Sequence, residues 1–306
     1  MPEPLRRIHF IADRGDARLR LDQVLVRRVT GIIHMSRSRA QEWIETGAVL
    51  VNGSPAGRPA MRVREGSAVE IALPESAERR VRPEPEDRPL EILYEDDHLI
   101  AIDKPAGLVV HPSYKNVSGT ILNAVLGRLR GHANFRPGIV TRLDKETSGV
   151  LLVALAPGVH ARLQRQPPRK FYLAIVRGTP APPLGTIDLA LGRDPLDRRR
   201  IVVDADGLPS ETRYEVVSSA GELSLVKCEL ITGRTHQIRV HLSARGWPIV
   251  GDAMYGIPDD RITRVALHAW KLRMQHPKTN HPLEITAPWP PRDLDALVSA
   301  ATLSPP

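Results

Sequence analysis

The sequence predicts two domains, a small module of helices and strands followed by a larger domain built mainly on a sheet. The chain has 306 residues, which is long enough for a large core and two domains. Residues 18–75 combine helical and strand patterns, whereas the sequence from residue 90 onwards is dominated by short apolar runs between turn-forming residues. A charged stretch separates the two parts.

The first predicted domain, residues 18–75, contains two helices and a few strands. Apolar spacing predicts both helices, and the second is capped by Ser36 and ends at Gly47. The Asn52-Gly53 pair after an apolar run is a strong hairpin signal. We therefore expect a compact α/β module.

Residues 76–89 are charged, contain prolines and lack an apolar period, as is typical of a linker. A flexible linker would let the first domain tether a substrate and raise its local concentration at the second. We expect the second domain over residues 90–294 and a C-terminal tail over residues 295–306.

The most distinctive stretch of the second domain is residues 138–154, GIVTRLDKETSGVLLVA. Two short apolar runs, typical of buried strands, flank a polar turn that carries Arg142 and Asp144. This arrangement holds an ionised carboxylate in place between two pieces of sheet, as an acceptor or a nucleophile. The alternative is a surface turn with a local Arg142–Asp144 ion pair.

Two further features of the second domain leave alternatives open. His111 either faces a cleft or is a hydrogen-bonded structural histidine, and the run Arg198-Arg199-Arg200 is either an RNA contact or a solvated loop. The net charge of +8 and the isoelectric point near 10 indicate a polyanionic partner. Of the 43 basic residues, 36 are arginine, whose guanidinium binds phosphate in a bidentate way, although genome composition explains that excess equally well.

Several classes of protein are not favoured by the sequence. There is no apolar run of ~18 residues, as a membrane helix needs, and the N-terminus lacks the apolar core of a signal peptide, so we expect a cytoplasmic protein. The single cysteine, Cys228, excludes an internal disulfide and a multi-cysteine zinc site. Asp96 and Asp97 lack a spaced third carboxylate, and His236 and His241 have the wrong spacing for a helical metal pair, so no metal is expected.

The first domain resembles a known family. The order RLDQVL…SRSRAQEWIETGAVLVNG is similar to the S4 RNA-binding domain. In that family, basic residues around the second helix contact RNA phosphate, which implies such contacts for Arg37 and Arg39. The alternative is that these arginines form a solvated face. We favour RNA contact, since phosphate contacts position a protein without base-specific side chains.

The second domain resembles the catalytic domain of RluA-type pseudouridine synthases. The resemblance rests on four ordered segments: YEDDHLIAIDKPAGLVVHP, GIVTRLDKETSGVLLVA, KFYLAIVRG, and LITGRTHQIRVHL with GDAMYG behind it. With an S4 module ahead, the chain is similar to the RluD-like branch. The implied fold is α+β, with a mixed, largely antiparallel sheet. One departure is Thr141, where the family often has histidine, and we expect it to affect substrate preference rather than activity.

The resemblance implies isomerisation of uridine to pseudouridine within RNA, without cofactor or metal. Asp144 matches the essential aspartate, which acts either as a nucleophile or in proton abstraction. Arg234 matches the arginine that pairs with that aspartate, and Tyr172 matches the residue that stacks on the uracil. Arg142 matches an arginine that occupies the space vacated when the uridine is flipped out.

The implied partner is RNA. In the RluD-like branch, this RNA is the large-subunit (23S) ribosomal RNA or an assembly intermediate of that subunit. We expect a monomer. The rival functions are a transfer-RNA synthase of the same family, a non-catalytic RNA-binding assembly factor and a nucleosidase-like hydrolase. The combination of Asp144, Tyr172 and Arg234 argues against the non-catalytic alternative.

Overall fold

The computed structural model describes residues 7–29, 35–72, 83–112, 116–130, 137–156, 158–256, 258–300 and 303. The chain divides into two compact units, residues 1–82 and 83–306. Residues 73–75 of the predicted first domain, residues 76–82 of the predicted linker and most of the predicted tail after residue 300 lie outside the described residues.

The first unit is a four-stranded antiparallel sheet with two helices. Its elements are β1 (Arg7–Ile11), α1 (Leu21–Val29), α2 (Arg37–Glu45), β2 (Val49–Val51), β3 (Ser54–Pro55) and β4 (Ala68–Ala72), with a 3-10 turn at Asp16–Arg18. The sheet order is β1-β4-β2-β3. Strand β1 lies upstream of residue 18, so the sheet begins before the predicted start of this domain.

Local sequence signals explain the first unit. Ser36 caps α2 by accepting a hydrogen bond from the Arg39 amide at 3.2 Å, as predicted. Asn52 and Gly53 both have positive φ, at 52° and 78°, which is the backbone of the tight hairpin turn that joins β2 to β3. The two helices and the sheet share one buried apolar cluster, so the unit has its own core.

The second unit holds the remaining elements. Its strands are β5 (Ile92–Glu95), β6 (Leu99–Lys104), β7 (Gly138–Ile139), β8 (Ser148–Ala154), β9 (Arg169–Arg177), β10 (Leu184–Asp188), β11 (Leu191–Arg193), β12 (Ile201–Val203), β13 (Glu211–Ala220), β14 (Leu223–Leu230), β15 (Leu267–Gln275) and β16 (Pro282–Thr286). Its helices are α3 (Ile121–Arg128), α4 (Val159–Arg165), α5 (Gln237–Ala244) and α6 (Asp295–Ala300), with a 3-10 turn at Arg292–Leu294 before α6.

Ten of these strands form one sheet in the order β10-β13-β14-β9-β15-β8-β6-β5, with β16 paired to β15 and β7 paired to β8. Among the described strand pairs of this sheet, β8 and β15 are parallel and the others are antiparallel. Strands β11 and β12 form a separate ribbon. The predicted α+β fold with a mixed, largely antiparallel sheet is confirmed.

Strand β8 explains why the sequence around the polar turn is so apolar. Leu151 and Val153 pack into the core on one face of the sheet, and Val150 and Leu152 pack into the core on the other face. A strand buried on both faces needs a continuous apolar run rather than alternation. The turn that precedes β8 is thereby fixed to the most buried part of the molecule.

Helix α5 begins later than its sequence pattern suggests. The sequence pattern predicts a helical stretch from Arg234, whereas the helix begins at Gln237. His236 precedes it in the left-handed region, with φ of 55°, and this conformation interrupts the helix on its N-terminal side. In the part of the chain that the structure describes, no helix is long and apolar enough to cross a membrane.

Candidate active site

A cavity of about 780 Å³ lies in the second unit at the turn between β7 and β8. The turn contributes Arg142 and Asp144 to its wall, β9 contributes Lys170 and Tyr172, and the segment before and within α5 contributes residues 233–239. These residues come from three of the four sequence segments that carry the resemblance. His111, from the fourth segment, also lines the cavity.

The turn that carries Asp144 is held by its own backbone. The Thr147 amide donates to the Asp144 carbonyl at 3.1 Å, and the Gly107 amide donates to the Lys145 carbonyl at 2.9 Å. The fully buried Lys104 ammonium also donates to the Lys145 carbonyl, at 3.0 Å. These hydrogen bonds to the carbonyls of Asp144 and Lys145 fix the backbone of the turn from which the Asp144 side chain projects.

Lys104 is a structural cation. Its Nζ also donates to the carbonyls of Pro105 at 2.8 Å and Leu108 at 3.0 Å, which completes the three hydrogen bonds that an ammonium can make. Burial lowers the pKa of Lys104 to about 8. With its donors used on backbone carbonyls, Lys104 joins the turn after β6 to the Asp144 turn.

The start of β8 approaches β15 closely. Gly149 has φ of 105°, and a Cβ at this position would collide with the Ala269 carbonyl. The neighbouring Ser148 hydroxyl lies 2.8 Å from Nδ1 of the buried His268 on β15. Both contacts fix the C-terminal end of the Asp144 turn to the centre of the sheet.

Arg239, on α5, is the ion-pair partner of Asp144. Its Nη1 lies 3.3 Å from Asp144 Oδ2, while its Nε and Nη2 donate to Asp252 at 2.7 and 2.8 Å. Burial on its own would raise the pKa of Asp252, but the hydrogen bonds and charge of Arg239, together with the amides of Met254 and Tyr255, outweigh it and lower that pKa. Asp252 thus keeps the guanidinium oriented with one nitrogen directed at Asp144.

This pair corrects the prediction for Arg234. The Arg234 side chain is exposed and donates from Nε and Nη2 to the Pro209 carbonyl, both at 3.3 Å. The physical reason is the position of the helix start: Arg234 precedes α5, whereas Arg239 lies within it, on the side that faces Asp144. Arg234 still lines the cavity.

His236 and Tyr255 extend the network around Asp144. His236 Nδ1 lies 2.8 Å from the Tyr255 hydroxyl, which also accepts a hydrogen bond from the Ile201 amide at 2.8 Å. This favours Tyr255 as the donor to Nδ1, which leaves the imidazole proton on Nε2, 3.8 Å from Asp144 Oδ2. Burial lowers the pKa of His236, against the opposing effect of the Asp144 carboxylate, so the ring is neutral at pH 7.

Tyr172 lies in β9 with only 6% of its surface exposed, and it contributes to the cavity wall. Burial raises the pKa of its phenol, and the nearby Asp144 carboxylate raises it further. The hydroxyl therefore keeps its proton at neutral pH. Arg142, in contrast, is an exposed residue of the cavity wall.

The predicted RNA contacts Arg37 and Arg39 belong to the first unit. Arg37 Nη2 lies 3.4 Å from a carboxylate oxygen of the buried Asp22. The Arg39 guanidinium lies 5.4 Å from the centre of the Trp43 ring, within cation–π distance. Both side chains contact neighbours in their own unit, and their positive charges make the surface of α2 basic.

Sequence reasoning missed Arg239, His236, Asp252 and Tyr255. One signal was available for Arg239, because it lies between the apolar residues Ile238 and Val240 in a stretch that also contains Leu242. A charged residue in such a stretch needs a buried partner. Asp252 and Tyr255 are brought to the site only by the tertiary fold. Among the described residues, no three His, Cys, Asp or Glu side chains cluster closely enough to hold a metal ion.

Comparisons with known proteins identify the family of this chain. Residues 98–244 match the model of the RNA pseudouridylate synthase family, and residues 19–69 match that of the S4 domain. A protein of Nitrosomonas europaea named ribosomal large subunit pseudouridine synthase D is 41% identical over 93% of this chain and 85% of its own length. A protein of the same name from Xanthomonas campestris is 40% identical over 87% of this chain and 84% of its own length.

A solved structure supports the same assignment. Human RNA pseudouridylate synthase domain containing 1 is 29% identical and superposes with a TM-score of 0.56, covering 72% of this chain and 97% of its own. The sequence relatives and the shared fold extend over most of the chain. The chain therefore belongs to the RNA pseudouridylate synthase family and is an isomerase that acts on RNA.

Proposed function

We propose that this isomerase converts specific uridines of large-subunit (23S) ribosomal RNA to pseudouridine, with Asp144 as its catalytic residue. The observation that carries the proposal is the incompletely bonded Asp144 carboxylate, which faces a cavity of about 780 Å³ and has Arg239 and Tyr172 beside it. The names of the relatives from Nitrosomonas europaea and Xanthomonas campestris support ribosomal RNA as the substrate.

The reaction breaks the N1–C1′ bond of uridine, turns the uracil within the site and joins C5 to C1′, with the C5 proton lost and N1 protonated. Both routes for the aspartate, attack as a nucleophile and proton abstraction from the sugar, need an ionised carboxylate with a free oxygen. Arg239 Nη1 lies 3.3 Å from Asp144 Oδ2, and the other Asp144 oxygen remains available for the substrate.

Tyr172 and Arg142 supply the remaining functions. The Tyr172 ring offers an aromatic face to the detached uracil, and its protonated hydroxyl suits proton transfer. Arg142 is exposed at the cavity wall, where its long side chain suits the space that the flipped uridine leaves in the RNA. The exposed Arg234 suits contact with the RNA backbone at the same wall.

The first unit suits an RNA-tethering role. It matches the S4 domain, and Arg37 and Arg39 make one surface of α2 basic. We place the protein in the cytoplasm, acting as a monomer on ribosomal RNA or on an assembly intermediate of the large subunit. The tether raises the local concentration of RNA at the catalytic unit.

Carbodiimide-based pseudouridine mapping tests the proposal. Wild-type protein, Asp144→Asn and the control Asp97→Asn, an exposed carboxylate outside the cavity, are each incubated with unmodified large-subunit and transfer RNA. We expect new stops in large-subunit RNA with wild type and Asp97→Asn and none with Asp144→Asn.

Three other outcomes would contradict parts of the proposal. Full activity of Asp144→Asn would remove Asp144 from the mechanism. Stops confined to transfer RNA would keep the enzyme and overturn the substrate. Release of free uracil without stops would indicate a hydrolase, in which water captures C1′.

A further inference from the structure

We propose that Lys170 forms an anion subsite in the active-site cavity and binds a phosphodiester oxygen of the RNA next to the target uridine. The inference deepens the proposed function, because the phosphodiester belongs to the RNA strand that presents its uridine to Asp144. It assigns a ligand to a cavity cation that the mechanism above does not use.

Lys170 is aimed into the cavity by its place in β9. Side chains two residues apart in a strand lie on the same face, so Lys170 and Tyr172 share the face that lines the cavity. Their separation along the strand is about 6.7 Å, two residue steps. This distance is comparable with that between a nucleobase and its own phosphate, so a uracil on Tyr172 places a phosphodiester near Lys170.

The Lys170 ammonium has no bonding partner among the described residues, and none of the carboxylates there offsets its charge. Burial lowers the pKa of Lys170 below its ordinary value. Its neighbour Arg169 points to the other face and is paired with Glu229 at 2.8 Å. Of these two adjacent basic residues, one is neutralised within the protein and the other is left for a ligand.

Gly233 preserves the space around the ammonium. A Cβ built on Gly233 would lie 3.1 Å from Lys170 Nζ, closer than ordinary van der Waals contact. A larger residue at position 233 would push the ammonium away from this wall of the cavity. The glycine therefore lets the turn before α5 approach Lys170 while Nζ stays in the cavity wall.

The charges of the cavity favour a phosphate over a neutral group. Its wall carries the cations of Arg142, Lys170, Arg234 and Arg239, but Arg239 is already bound by Asp144 and Asp252. A partly desolvated ammonium gains most from an ionised acceptor, because the opposite charges attract each other more strongly where water is partly excluded. A uracil carbonyl is neutral and leaves the positive charge uncompensated.

The test compares Lys170→Met with the matched control Arg169→Met, which removes a basic side chain from the adjacent position on the opposite face. The substrate is a short RNA that carries the uridine modified by the wild-type protein. We expect Lys170→Met to raise KM about tenfold with a smaller change in kcat, and to reduce the salt dependence of RNA binding by about 0.7 in log–log slope, the loss of one phosphate contact. Lys170→Arg retains most of the affinity, and Arg169→Met resembles wild type.

A methylphosphonate scan identifies the acceptor. Replacing one phosphodiester beside the target uridine by a neutral methylphosphonate is expected to weaken binding to wild type and to have no further effect on Lys170→Met. Equal losses for both proteins at every position, or a fall in kcat with unchanged KM and salt slope, would overturn the phosphate assignment.

A failure of the inference is distinguishable from a failure of the proposed function. If the wild-type protein modified no RNA, the proposed function would fail. The binding measurements with ribosomal RNA fragments would still test whether Lys170 contacts a phosphodiester. If wild type were active and Lys170→Met matched Arg169→Met in every readout, only the inference would fail. Thermal melting of each variant checks that the variants are folded.

Discussion

Asp22 in the first unit and Asp144 in the second are both aspartates held by arginine, but their hydrogen bonding differs. The Asp22 side chain is fully buried and accepts hydrogen bonds from Arg20, from Gln41 at 2.9 Å and from Arg37 at 3.4 Å. The Asp144 side chain is 28% exposed, with Arg239 at 3.3 Å and the His236 ring at 3.8 Å. Asp22 has both oxygens occupied, whereas Asp144 has bonding capacity left for a ligand.

The difference separates a structural carboxylate from one available for chemistry. A carboxylate whose lone pairs are used within the protein joins elements together, as Asp22 joins α1 to α2. One that keeps a free oxygen beside a cavity has no such structural function and is available to a substrate. Asp252 lies next to Asp144 but is a structural carboxylate like Asp22. It accepts hydrogen bonds from Arg239 and from the amides of Met254 and Tyr255.

The largest effect we expect comes from removing Arg239, the ion-pair partner of Asp144. Arg239→Met leaves Asp144 and Asp252 without the cation that they share, and we expect kcat to fall roughly 100- to 1,000-fold, which corresponds to about 3–4 kcal/mol in activation free energy. Arg234→Met removes a cation that is bound to the Pro209 carbonyl and is expected to lower activity less than tenfold. Single-turnover rates with a modifiable RNA measure both, and a larger loss for Arg234→Met would contradict the assignment of the pair.

The second prediction compares the two aspartates by stability. Asp22→Asn removes a buried charge that is shared by two arginines and is expected to cost about 1–3 kcal/mol of unfolding free energy. Asp144→Asn leaves the Arg239–Asp252 bonds in place and is expected to change stability by less than about 0.5 kcal/mol. Urea denaturation midpoints measure the stability of both variants. Equal destabilisation by the two substitutions would contradict the distinction between the structural Asp22 and the incompletely bonded Asp144.

The third prediction extends the comparison to a buried histidine behind the Asp144 turn. Burial, together with the nearby Arg264, lowers the pKa of His268 to about 3. Between pH 6.5 and about 3, the unfolded chain binds a proton that the folded state does not, so stability falls as the pH falls, by up to about 1.4 kcal/mol per pH unit. His268→Gln is expected to reduce this slope in denaturation curves between pH 6 and 4, and an unchanged slope would show that His268 is not the group responsible.

By itself, the sequence determined the elements whose signals are local. The Ser36 cap, the Asn52-Gly53 turn and the apolar run of β8 each follow from neighbouring residues, because capping, turn conformation and burial on two faces constrain residue type directly. The four ordered segments also predicted the family and the fold. The assignments of Asp144 and Tyr172 to the chemistry remain predictions from that resemblance.

Only the tertiary structure decided which arginine meets Asp144. Arg234 and Arg239 stand in one segment, and their order in the sequence does not say which of them faces the carboxylate. The left-handed residue His236 sets the start of α5, and Asp252, from a later turn, orients the Arg239 guanidinium. An ion pair between residues 95 positions apart depends on how the helix and the sheet pack, which no local pattern encodes.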